Sequence, residues 1–196
     1  MTESTKAKPK IVFLDTEFTG EHMGTTLVSL AMVTLEGEEF YVSVNDYDRN
    51  QVTDWLQENV LEYIDESQST SSIEAYRNIS AWLENYSDGD RIFIVSAGLA
   101  QDILLLYELF RFVTPEQQFH ALHCLPKYLK HHAAIDLNTL FRICGVMPDV
   151  NRADFAGMNE ENMRHIAIDD ARVVRGCFLK LEKTGRLDQL LETMID

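Results

Sequence analysis

The chain has 196 residues, 45% of them hydrophobic, and a formal net charge of −15. That length suits one domain with a core that needs no disulfide or metal staple. The acidity argues against tight nonspecific binding of long duplexes, whose affinity comes from Lys and Arg neutralising phosphates.

The first nine residues, MTESTKAKP, lack the apolar segment of a signal peptide and read as a disordered leader to a single domain over residues 10–196. No run of about 18 apolar residues occurs, so no membrane association is expected. Cys124, Cys144 and Cys177 are odd in number and show no Cys-x-x-Cys spacing. They argue against a disulfide framework and fit a reducing compartment, which makes the expected location cytoplasmic.

The first element is IVFLDTEFTG, Ile11 to Gly20. Its successive apolar residues read as a central strand covered on both faces. Asp15 and Glu17, two apart, then share one face without a Lys or Arg beside them. Like charges at the end of a buried strand repel unless a cation lies between them. The alternative is that the strand has ended and both acids are solvated.

TLVSLAMVTL (Thr26 to Leu35) and EEFYVSV (Glu38 to Val44) read as two further strands joined around Glu36-Gly37. NQVTDWLQENVLEYI and SSIEAYRNISAWLENY carry helical spacing, the second through Ile73, Tyr76, Ile79 and Leu83. RIFIVS (Arg91 to Ser96) is another buried strand, followed by a helix from about Gln101 to Phe112 and a short strand at Phe119 to Leu122. Asp136 N-caps a helix that ends near Gly145, with Pro148 beyond. The 151–164 segment is polar and irregular, a helix covers Ala167 to Leu181, and a last short one starts at Leu187. The order predicts an α/β fold: a mixed five-stranded sheet with three antiparallel strands first, then parallel strands, and helices on both faces.

Charge is unevenly distributed. Residues 36–90 hold 14 acids against two bases, Arg49 and Arg77, whereas residues 120–186 hold ten bases against eight acids. A polyanion would approach the second region, although solvated helix faces of different character explain the contrast equally well.

Two more carboxylates stand out. Asp102 shares a helix face with Leu106, Leu109 and Val113, either at the edge of an apolar stripe or simply complementing the helix start. Asp170 falls inside the stripe formed by Ala167, Ala171, Val174, Cys177, Phe178 and Leu181, where an unpaired charge costs several kcal/mol unless a partner or a metal compensates it. Asp169 is rotated away. His165 lies five residues before Asp170, about 140° around a helix, so the two meet only if His165 belongs to the segment leading into that helix. His120, His123, Cys124, His131, His132 and Cys144 match no common four-ligand zinc spacing, and surface histidines account for them more simply.

Asp15-Thr16-Glu17, an Asp early in the helix after the fourth strand, and His165-x4-Asp170 together resemble the DEDDh branch of the 3′-to-5′ exonucleases, which have a ribonuclease H-like fold. The similarity in order and spacing spans roughly residues 10–182, and DTEF followed by TLVSLAMV looks most like the bacterial exoribonuclease subgroup first described in mycobacteria. The resemblance implies two divalent cations, Mg2+ or Mn2+, held by Asp15, Glu17, Asp102 and Asp170. Asp15 would bridge both, Glu17 and Asp170 would complete the first site, and Asp102 would serve the second through water. It implies His165 as the catalytic base and Thr16, Phe18 and Thr19 as substrate-binding residues, with Phe18 a departure from the Thr-Thr of many relatives. The implied partner is nucleic acid with a free 3′ end, RNA ahead of DNA, and relatives often form homodimers. A nuclease fold that binds without cutting would have lost one of the five residues, and all five are present.

Overall fold

The computed structural model describes residues 9–111, 125–158 and 166–195. Among them the strands are β1 (Lys10–Phe18), β2 (Leu27–Thr34), β3 (Glu39–Ser43), β4 (Ile92–Ser96) and β5 (Leu129–Asp136). The α-helices are α1 (Asp54–Asn59), α2 (Ser72–Ser87), α3 (Leu99–Phe110), α4 (Leu137–Ile143), α5 (Arg152–Ala156), α6 (Ala167–Glu182) and α7 (Asp188–Thr193). The five strands form one sheet in the order β3-β2-β1-β4-β5. β1 runs antiparallel to β2 and β2 to β3, whereas β1–β4 and β4–β5 are parallel. This is the mixed α/β sheet expected from the sequence.

β1 lies at the centre because its two faces are both apolar. Val12 and Leu14 join the core formed by Ala75, Ile79 and Leu83 of α2 and Leu106, Leu109 and Phe110 of α3. Ile11 and Phe13 point to the other side, into the core of Leu140 and Phe141 on α4 and Val174, Cys177 and Phe178 on α6. Continuing the alternation of a strand, Asp15 and Glu17 face the α6 side and Thr16 faces the α3 side.

The β2–β3 hairpin turns at Gly37, whose φ of +103° suits a residue without a Cβ. Arg175 of α6 closes the turn by donating from Nε to Thr34 O (3.1 Å) and from Nη2 to Leu35 O (2.9 Å). One turn earlier, Arg172 binds Glu39 of β3 and Asp169 on its own helix, each at 2.7 Å. Two guanidiniums and an apolar stripe therefore fix α6 on the sheet. Asp169, rotated away from the apolar stripe, is held by Arg172.

Three segments differ from expectation. The fifth strand is Leu129–Asp136, whereas Phe119 to Leu122 lie outside the described residues. LKHHAAID conceals its strand character because the alternation fails: Ile92 to Ile94 of β4 is matched by Leu129 to Ala134 of β5, so β5 bulges around the exposed His131 and His132. The segment from Asn50 to Ile64 is not one helix. It breaks into the 3-10 turn Arg49–Gln51, α1 capped by Thr53, and a second 3-10 turn at Leu61–Tyr63. Within the stretch read as irregular, Arg152–Ala156 is helical, capped by the Asn151 side chain and ended by Gly157 at φ +76°.

Phe178 is fully buried with its ring 5.2 Å from that of Phe13. Phe178→Ala should cost about 3–5 kcal/mol, read as a lower urea midpoint at an unchanged slope.

Candidate active site

β1 is longer than its parallel neighbour. Pairing with β4 ends at Leu14 and Ser96, while β2 continues to pair with Asp15 through Phe18 on the other side. The overhang carries Asp15 and Glu17 past the end of β4, and α6 brings Asp170 over the same face. One carboxylate oxygen from each of Asp15, Glu17 and Asp170 can be chosen so that all lie within 4.8 Å of one another. Carboxylates this close, half-buried, raise one another's affinity for protons. Burial holds Asp15 well above the usual carboxylate range, with further contributions from the charges of Asp102, Asp170 and Glu17. Glu17 is pushed up to about 7, first by burial and then by Asp170 and Asp102.

Asp102 is reached differently. It sits in the first turn of α3, only 2% exposed, and outside the three-carboxylate group. Thr16 Oγ1 donates to its Oδ1 at 2.7 Å, and Ser96 Oγ donates to its Oδ2 in a shorter bond. Burial raises its pKa, and the hydrogen bonds from Ser96 and Thr16 oppose the rise. A Cβ on Gly98 would lie 3.0 Å from Asp102 Oδ2, so a side chain there would press on the carboxylate. Asp102 is thus a neighbour of the cluster in charge, held by hydroxyls from the ends of β1 and β4.

The remaining sequence candidates fall as follows. Thr16 is buried, with its hydroxyl on Asp102. Phe18 packs partly buried against the α2–α3 core. Thr19 is buried, its Oγ1 accepting from Thr26 N (2.9 Å) and donating to Gln51 Oε1 (2.5 Å), which ties the end of β1 to the start of β2. His165 lies outside the described residues, as do His120, His123 and Cys124. His131, His132 and Cys144 form no three-ligand cluster among the described residues.

Three contributors were not expected. Ser96 is a polar residue closing a buried strand, a signal present in RIFIVS. Tyr41 of β3 pairs with Ala31, which pairs with Asp15, so it stands at the border of the site, and burial and the charge of Glu17 raise the pKa of its hydroxyl. Arg152 of α5 acts on Asp15 in the opposite sense from the acids and lowers its pKa. Periodicity could not reveal it within five helical residues.

Residues 10–180 match the Rv2179c-like 3′-5′ exoribonuclease domain. The chain belongs to that family. It therefore carries a 3′-to-5′ exonuclease domain, with the ribonuclease H-like fold of such enzymes. No curated protein matched the sequence of this Rv2179c-like chain. Among solved structures it is similar to the Escherichia coli exonuclease I–ssDNA complex in its zinc-bound form, at 14% identity and a TM-score of 0.63 over 94% of this chain and 43% of that one. It is also similar to the catalytic unit of Neurospora crassa Pan2, at 17% identity and 0.54 over 100% and 31%. Exonuclease I of Methylocaldum szegediense gives 11% identity and 0.57 over 90% and 40%. The Rv2179c-like chain thus spans less than half the length of these structures, and at such identities the likeness concerns the fold.

The raised carboxyls link stability to pH. Glu17 keeps its proton up to about pH 7 in the folded chain and loses it near 4.5 when unfolded, so the folded state binds more protons between those values. Cation-free protein should lose stability as pH rises through that window. Glu17→Gln should flatten the loss and raise the melting temperature at pH 8 by about 2–8 °C, as expected for about 1–2 kcal/mol in a chain of this size. Equal melting curves for the two proteins from pH 4 to 8 would contradict this linkage.

Proposed function

We propose that the chain is a divalent-cation-dependent 3′-to-5′ exoribonuclease that releases 5′-nucleotides from single-stranded 3′ ends in the cytoplasm. The observation carrying this reading is the convergence of Asp15, Glu17 and Asp170 within 4.8 Å, in a chain whose residues 10–180 match the exoribonuclease domain. The donor set fits hard cations. All three groups offer oxygen, burial and neighbouring charge disfavour Asp15 and Glu17 as free anions, and a divalent ion would offset both penalties. Asp15, Glu17 and Asp170 would hold one Mg2+ or Mn2+, and Asp15 with Asp102 would serve a second. When bound, such ions activate water and neutralise charge on the attacked phosphate and the leaving oxygen.

The chain's own residues set the geometry for this chemistry. The overhang of β1 holds Asp15 and Glu17 without a loop between them, and Arg172 and Arg175 hold the helix that carries Asp170 against the β2–β3 hairpin. Thr16 and Ser96 orient Asp102. His165, five residues before Asp170, is assigned as the base that takes a proton from the attacking water. An ordinary imidazole pKa near 6.5 suits that step at neutral pH. The 3′ oxygen then leaves with the shortened strand, and the terminal residue leaves as its 5′-phosphate. The net charge of −15 favours short single strands, which need fewer phosphate contacts than long duplexes.

A DNA exonuclease is the second reading, favoured by the likeness to exonuclease I structures solved with single-stranded DNA. Matched RNA and DNA oligomers labelled at the 5′ end, digested with and without Mg2+ or Mn2+, separate the two. A cation-dependent ladder shortened from the 3′ end of RNA is expected, with DNA cut more slowly. Faster loss of DNA would transfer the assignment, and no shortening of either would refute the exonuclease reading. His165→Ala should lower turnover about 10²–10⁴-fold while Mn2+ binding persists. Asp170→Asn should lose both Mn2+ binding and turnover.

A further inference from the structure

Arg152, at the start of α5, lowers the pKa of Asp15 through its charge and takes part in none of the ion pairs found among the described residues. Its Nη2 donates to Asn138 Oδ1 at 3.0 Å, and Asn138 Nδ2 in turn donates to Ala97 O at 3.1 Å, beside the Ser96 that holds Asp102. Its carbonyl accepts from Cys177 Sγ at 3.3 Å on α6. Close packing keeps α5 in place: a Cβ on Gly176 would come within 2.8 Å of Ala156 Cβ. Among the described residues the buried Arg152 Nε has no hydrogen-bond partner. A guanidinium N–H left in this state is costly, by about 1–3 kcal/mol, and calls for an acceptor.

We infer that Arg152 is a substrate-contacting residue of this site, its guanidinium anchored by Asn138 to take a non-bridging oxygen of the phosphate bound at the carboxylate cluster. The inference rests on the exonuclease reading and adds to it a phosphate contact made by the protein itself. The physical reason is charge balance. In the cation-free protein Arg152 offsets part of the repulsion at Asp15. Divalent ions held by the cluster would cancel that attraction and leave the guanidinium close to positive charge, so its favourable partner would be an anion arriving with the ions. A phosphate oxygen supplies this, and a planar guanidinium suits phosphate geometry better than an ammonium. A structural brace between α4, α5 and α6 would account for the Asn138 and Cys177 contacts but would leave Nε without a purpose.

The two roles give opposite signs in a binding experiment. In Arg152→Gln, removal of a positive charge should tighten Mn2+ binding, measured by calorimetry without nucleotide. Affinity for adenosine 5′-monophosphate in saturating Mn2+ should fall about 10–100-fold, the worth of a charge-assisted hydrogen bond, with adenosine itself affected less than twofold. Arg152→Lys should recover part of the loss. Asn138→Ala, which loosens the anchor without removing the charge, should weaken the monophosphate and leave Mn2+ affinity unchanged. If Arg152→Gln weakens Mn2+ and monophosphate together, or keeps the wild-type preference for the monophosphate over adenosine, Arg152 is a brace and the inference fails. If wild-type protein shortens RNA while Arg152→Gln shows that pattern, only the role of Arg152 falls. If wild-type protein shortens neither RNA nor DNA, both readings fall.

Discussion

Mutual repulsion among half-buried carboxylates is the constraint around which this fold is organised. Asp15, Glu17 and Asp170 come from a strand and a helix far apart in sequence, and nothing about three close acids stabilises the chain unaided. Their proximity is imposed by elements held elsewhere. The apolar stripe of α6, from Ala167 to Leu181, is buried against β1 and β2. The guanidiniums of Arg172 and Arg175 fasten the same helix to the β2–β3 hairpin. Core burial at about 25 cal/mol per Å² over such a helix exceeds what local repulsion can undo. Asp170 is therefore held beside Asp15 and Glu17 by packing and hydrogen bonds that do not involve the three acids.

Asp102 shows the other way to keep an acid in a protein interior. Its two oxygens accept hydroxyl hydrogens from Thr16 and Ser96, so its desolvation is compensated within the protein. The two solutions lie on opposite faces of the same strand: Thr16 stands between Asp15 and Glu17 in sequence and turns away from them. The DTE stretch consequently serves both faces, with two carboxylates toward α6 and one hydroxyl toward α3. An apolar β-branched residue at Thr16 would fit the pleat equally well and leave Asp102 short of a donor.

The elements that organise this arrangement were legible because their patterns are strong. IVFL gave the central strand, the period-two rule gave the shared face of Asp15 and Glu17, and the three-and-four spacing of α6 singled out Asp170 and set Asp169 aside. Asp102 was legible as an acid at the edge of an apolar stripe, but its hydroxyl partners were not, because Thr16 and Ser96 meet it only once β1 and β4 lie side by side. β5 was missed since two consecutive exposed histidines interrupt the alternation by which strands are recognised, and α1 was overextended because Val60 and Leu61 keep helical spacing after the helix has given way to a 3-10 turn. Arg152 lay in a short helix whose position depends on the close fit of Ala156 against Gly176, a tertiary fact without local trace.

The irregularity in β5 has a wider implication. Among the described residues it is the terminal strand of the sheet, and such an edge offers backbone groups that a strand from another molecule could extend. The protrusion at His131 and His132 breaks that ladder in mid-course and adds bulky side chains where an incoming strand would have to lie. Strand-by-strand growth along this margin, as the described residues form it, is obstructed at the protrusion.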